Sequence, residues 1–114
     1  MIPQSFDEFW SNIQELAMSK KEIQHLKQPN KSIILDVDSS NLVVGSSKNT
    51  KGRPIPKAVF LVTWKALFEK ESVTGEMLSS NYRIKNPAFV LALLSNLDYI
   101  EYIESENAIR IKKD

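Results

Sequence analysis

The run over residues 56–70, Pro-Lys-Ala-Val-Phe-Leu-Val-Thr-Trp-Lys-Ala-Leu-Phe-Glu-Lys, constrains the fold more than any other part of the chain. Val59, Phe60, Val62, Thr63, Trp64, Leu67 and Phe68 recur at helical spacing and define an apolar face too broad to leave in water. The C-terminal segments supply partners for it. Thr74 is placed to cap a short helix, with Glu76 in its first turn, where the helix dipole favours an anion, and Met77 and Leu78 inward. After a polar interruption over 79–85, Asn86 is a cap and Pro87 the opening residue of a helix predicted over 88–97. Residues 99–104 and 107–112 then alternate polar and apolar side chains around Ser105 and Glu106, the pattern of a half-exposed hairpin.

Helix, short helix, helix, hairpin is the order of a winged helix-turn-helix domain, and residues 58–114 resemble that superfamily. The expected fold is therefore α+β, with three helices and a C-terminal β-hairpin wing preceded by an N-terminal helix and a β-hairpin. In a helix-turn-helix the helix after the turn enters the major groove N-terminus first, where its free amides meet phosphates. The resemblance thus implies Arg83, Lys85 and Asn86 as base readers, with Ala88 and Phe89 behind them. Arginine reads guanine and asparagine reads adenine through paired hydrogen bonds. Ser79, Ser80 and Asn81 would bond phosphate oxygens. Two features depart from that pattern. The third helix leaves only Ala88, Ala92, Ser95 and Asn96 for an open face, and the hairpin carries Glu101, Glu104 and Glu106, which repel a phosphate backbone.

The first 47 residues read as a helix and a hairpin. Ser5 and Glu8 match a capping box. Phe6, Phe9, Trp10, Ile13, Leu16, Ala17, Ile23 and Leu26 continue at helical spacing until Pro29. This stripe either packs on the rest of the fold or, through Phe6, Phe9 and Trp10, offers a dimer or partner interface. Residues 32–38 and 42–45 are β-branched runs flanking Ser39, Ser40 and Asn41. Asp36 and Asp38 share a face of the first run. With no third acid placed nearby, they read as solvated residues rather than a metal site.

Residues 48–57 form a basic linker rich in proline and polar side chains, predicted as loop. It holds Lys48, Lys51, Arg53 and Lys57 with no acid, whereas the whole 114-residue chain has a net charge of only +1. These cations either track a phosphate backbone or keep a loop solvated. The glycines do not have the spacing of a nucleotide-binding loop.

No cysteine is present, which excludes disulfides and thiolate metal sites and fits a reducing compartment. With no membrane-length apolar run and no secretory pattern at the start, a soluble cytoplasmic protein is expected. The single histidine, His25, sits among lysines with no acid to orient it and reads as a helix-surface residue. No catalytic motif, cofactor or metal set is found, so the chain is expected to be non-enzymatic. Two functions stay open: duplex DNA binding, and protein assembly through the aromatic first helix or the small-residue face of the third. A looser resemblance, over residues 32–112, is to small modules that accompany restriction or defence nucleases. It implies target recognition for a nuclease or regulator partner and makes no residue here catalytic.

Overall fold

The computed structural model describes residues 2–27, 30–46 and 50–112. Helix α1 spans Phe6–Ser19. Ser5 Oγ accepts from the Glu8 amide at 3.2 Å, as the capping box requires, but the Glu8 carboxylate reaches one residue further back and takes the Gln4 amide at 3.0 Å. The helix is shorter than its apolar stripe predicts. Lys20 is extended, and Ile23 belongs to strand β1 (Glu22–Gln24), paired with β2 (Lys31–Val37). Ile23 is fully buried there, and pairing with β2 outweighs another helical turn for a β-branched residue.

Strands β3 (Asn41–Gly45) and β4 (Arg53–Pro56) complete an antiparallel sheet in the order β1-β2-β3-β4. The β2–β3 hairpin is the expected one. Asp38 turns its carboxylate into it, where Oδ1 accepts the amides of Ser40 and Asn41 at 2.7 and 2.8 Å. Those two donors hold the Asp38 carboxyl below its ordinary pKa, so the stabilisation is present at neutral pH and lost as acid protonates the group. β4 corrects the expectation of a loop. Lys57 donates its amide to Ser40 O at 2.8 Å. The odd positions therefore face β3 and the ring nitrogens of Pro54 and Pro56 fall on the free edge, the one place a sheet tolerates proline. Gly52, at φ +79°, leads into β4 where a Cβ would lie 2.7 Å from both Leu35 Cδ1 and Val43 Cγ1.

Helix α2 (Lys57–Glu69) buries Phe60, Thr63, Ala66 and Leu67. Thr63 satisfies its hydroxyl on Val59 O at 2.9 Å. Phe9 stacks on Trp64 with ring centroids 4.6 Å apart, and Trp10 meets Phe60 at 5.6 Å. Phe9 and Trp10 are thus core residues. Of the two readings of the stripe, packing on the rest of the fold holds for these two, whose contact area is consumed between α1 and α2 and so is not offered to a partner; Phe6 stays partly open.

After α2 the chain makes an unforeseen strand, β5 (Ser72–Thr74), and a π-helical turn, Met77–Asn81, capped as expected by Thr74 Oγ1 on the Met77 amide at 3.0 Å. Helix α3 covers Pro87–Leu94 and stops short of residue 97, because the side chains of Ser95 and Asn96 both bond Ala92 O, each at 2.8 Å. Strands β6 (Ile100–Ile103) and β7 (Ala108–Ile111) follow on either side of the turn Glu104–Glu106. The second sheet is antiparallel in the order β5-β7-β6, with Glu101 opposite Arg110 and ion-paired to it. One core joins Phe9 and Ile13 of α1, Ile23 of β1, Phe60 of α2, Leu93 of α3 and Ile109 of β7. Among the described residues, no helix is long and apolar enough to cross a membrane.

Tyr99 ties the two halves together by accepting from Asn12 Nδ2 at 3.0 Å. Burial raises its phenol pKa; the Asn12 bond offsets this in part, and Asp98 and Glu8 add to it. The neutral form is favoured in the fold, so stability is full below the unfolded pKa near 10 and falls as pH rises beyond it. Tyr99→Phe is expected to cost about 1 kcal/mol in urea melts at pH 7 and to flatten the loss of stability as pH rises past the unfolded pKa.

Candidate nucleic-acid interface

Two stretches far apart in sequence, 53–62 and 82–86, line a groove of about 760 Å³. β4 supplies Arg53, Pro54 and Ile55; the first turns of α2 supply Ala58, Val59 and Val62; the connection over 82–86 supplies Tyr82, Arg83, Lys85 and Asn86. The connection is fixed at its base. Tyr82 donates its amide to Met77 O at 3.2 Å, closing the π-helical turn, and Ile84 donates to Leu78 O at 2.8 Å while burying its side chain. Between these anchors Arg83 adopts a left-handed backbone, φ 55°, with its side chain exposed. Asn86 precedes α3 and its carbonyl accepts the Val90 amide, but its side chain makes no capping bond. The expected Asn86 cap is therefore only a backbone one, and the side-chain amide is left to the groove.

Arg53, Arg83 and Lys85 are exposed on the rim, and no carboxylate is found among the described residues that line it. A cleft with one sign of charge and apolar walls concentrates potential and attracts anions. A smaller hollow of about 270 Å³ shares Arg53, Lys85 and Asn86 and is bounded beyond them by His25 and Ser32. His25 is not the helix-surface residue expected. It follows β1, is half-buried, and its Nε2 lies 2.7 Å from Ser32 Oγ.

Of the residues singled out in the sequence, Arg53, Arg83, Lys85 and Asn86 are brought together. Lys51 is exposed in the turn leading into β4. Lys57 is directed elsewhere: its Nζ sits 5.7 Å from the Phe6 ring centroid and 5.8 Å from that of Trp10, a cation–π arrangement at α1. Lys48 lies outside the described residues. Ser79, Ser80 and Asn81 are exposed on the π-helical turn; Ser79 donates to Glu76 O at 3.2 Å and borders a separate hollow beside His25 and Lys27. Most of the third helix is covered. α3 packs against β1 and β7, and Phe89 through Leu94 are all buried; of the four residues expected to be open, Ala88 and Asn96 are exposed, Ser95 is half-buried and Ala92 is 0% exposed.

The walls of the groove were not anticipated as a site. Their signal is present in α2, which is apolar on more sides than one core contact consumes, so Ala58, Val59 and Val62 remain for a second surface. The chain matches no family model, and neither the curated proteins nor the solved structures contain a match to it.

The strain at Arg83 separates folding from binding. A left-handed non-glycine residue costs about 1–2 kcal/mol, and such positions cluster at ligand clamps. Arg83→Gly relieves the backbone while removing a rim cation. Its thermal midpoint is expected to equal or exceed that of the wild type, with a stability gain up to about 1 kcal/mol, while affinity for an anionic ligand falls. A loss of both would show that Arg83 serves the fold alone.

Proposed function

We propose that the protein is a non-enzymatic module that binds duplex DNA, gripping phosphates with Lys51, Arg53, Arg83 and Lys85 and placing Asn86 at the base edges. Residues 57–112 form its winged-helix unit. Supporting that reading, β5 falls between α2 and the π-helical turn, and β7 lies between β5 and β6 as the central strand of their sheet. The observation that carries the proposal is the meeting of Arg53 with Arg83, Lys85 and Asn86 around one groove without a carboxylate in its lining. Because the first sheet covers α3, contact is made through the connection over 82–86 and the edge of β4, with Phe89 and Ala92 taking no part. The acidic turn Glu104–Glu106 does not line the groove. A role beside a restriction or defence nuclease rests on the sequence resemblance.

Fluorescence anisotropy with a mixed-sequence duplex tests this. Four phosphate-contacting cations give a slope of log affinity against log salt of about −3 to −4. No binding at low salt would refute the proposal. A second reading, assembly with a protein partner or a second copy, is favoured by Phe68, which is 53% exposed and edge-on to Trp64 at 4.5 Å. Concentration-dependent sedimentation with no DNA affinity would select it.

A further inference from the structure

The groove holds more than a phosphate-binding rim needs. Backbone-tracking surfaces require cations at the surface, whereas here the cations surround a cleft walled by Pro54, Ile55, Val59, Val62 and Tyr82. We propose, building on the DNA-binding reading, that this cleft receives an unpaired base extruded from a duplex, with Arg53, Arg83 and Lys85 closing on its flanking phosphates. The groove, about 760 Å³ and open to solvent on one side, has ample room for one base. Proline, valine and tyrosine surfaces contact a base without regard to sequence, as aromatic and apolar platforms do in single-strand binders.

The polar groups fit the same occupant. Asn86 offers an amide that makes no capping bond, able both to donate and to accept. Along β4 the outward edge presents the carbonyls of Pro54 and Pro56 but no N–H, because both residues are proline. A polypeptide strand cannot add to an edge without donors. An exocyclic amino group needs only an acceptor. The lining contains no carboxylate to repel a phosphate, so the charge is complementary on every described side.

The test compares four labelled probes on the full chain by anisotropy: an intact duplex, the same duplex with a one-nucleotide bulge, a free deoxynucleoside monophosphate, and a Glu- and Leu-rich helical peptide. A 2-aminopurine at the bulge reports its stacking. The bulged duplex is expected to bind about tenfold tighter than the intact one, because its base is already unstacked, with a change in 2-aminopurine emission on binding. Ala58→Phe, which fills the cleft from an exposed position, is expected to bring the bulged duplex down to the level of the intact one. Equal affinity for bulged and intact duplexes, with unchanged emission, overturns base insertion and leaves DNA binding standing. No affinity for either overturns both. Mononucleotide binding as tight as that of the bulged duplex overturns the polymer ligand, and tighter binding of a Glu- and Leu-rich helical peptide overturns the nucleotide in favour of a protein. The emission change is read on the wild type, so the outcome does not depend on the variant folding.

Discussion

Replacing Arg53, Arg83 and Lys85 together by glutamine is expected to remove duplex binding while leaving the fold intact. Each is exposed, so the combined stability change should stay within roughly 1 kcal/mol. Charge-assisted bonds at an exposed rim are worth about tenfold each, on the order of a thousandfold together. The salt slope should fall by about 2.7, roughly 0.9 for every phosphate no longer neutralised. The control is a triple variant with Lys20, Lys65 and Lys70 changed to glutamine, which removes the same charge from exposed positions that do not line the groove. A long-range attraction set by net charge alone predicts equal losses in both triples. A built groove predicts a steep loss in the first and little in the second. Equal behaviour would remove the geometric basis of the DNA-binding proposal.

The parts of the fold legible from sequence are those whose cause is local. The Ser5 and Thr74 caps act within a few residues of themselves, and Pro87 opens α3 by its own fixed φ. The alternation around Ser105 and Glu106 reports one wet and one dry sheet face. The elements that could not be read depend on distant partners. β1, β4 and β5 are three or four residues long and exist through β2, β3 and β7. Ile23 fits the first helix by spacing and the first sheet by burial; only the sheet reveals which prevails. Pro54 and Pro56 argue for a loop until a neighbouring strand turns them into the blunted edge of a sheet.

The candidate site divides along the same line. Residue types suited to anions are visible in Arg53, Arg83, Lys85 and Asn86, but nothing in the sequence says which cations of the basic segment meet the start of α3. Arg53 does. Lys57 does not, because the first residue of a helix points where the helix is docked, and α2 is docked on the rings of α1. The aromatic trio of α1 was ambiguous for the same reason, since a stripe that fits a core and one that fits a partner have the same spacing. The covering of α3 by β1 was invisible, because β1 itself was hidden inside a helical pattern.

Phe60→Ala is expected to produce the largest loss of stability, about 3–5 kcal/mol for a fully enclosed phenylalanine, out of a total that for single domains is about 5–15 kcal/mol. Phe60 is 0% exposed and meets Trp10 across the α1–α2 contact, while Phe9 stacks on Trp64 of the same helix. Residues 1–47, the linker at 48–57 and residues 58–114 are expected from the sequence to form one compact unit. If the continuous core makes them one cooperative unit, the variant's urea midpoint should shift equally for tryptophan fluorescence, which reports Trp10 and Trp64 at the helix contact, and for far-UV circular dichroism, which reports both sheets. Its m-value should match the wild type. Two separable units would instead give a tryptophan transition that moves to low urea while much of the backbone signal remains. That outcome would also weaken the groove, because Arg53 arrives on the first sheet and Arg83, Lys85 and Asn86 precede α3, so the four groups meet only while the two parts stay packed.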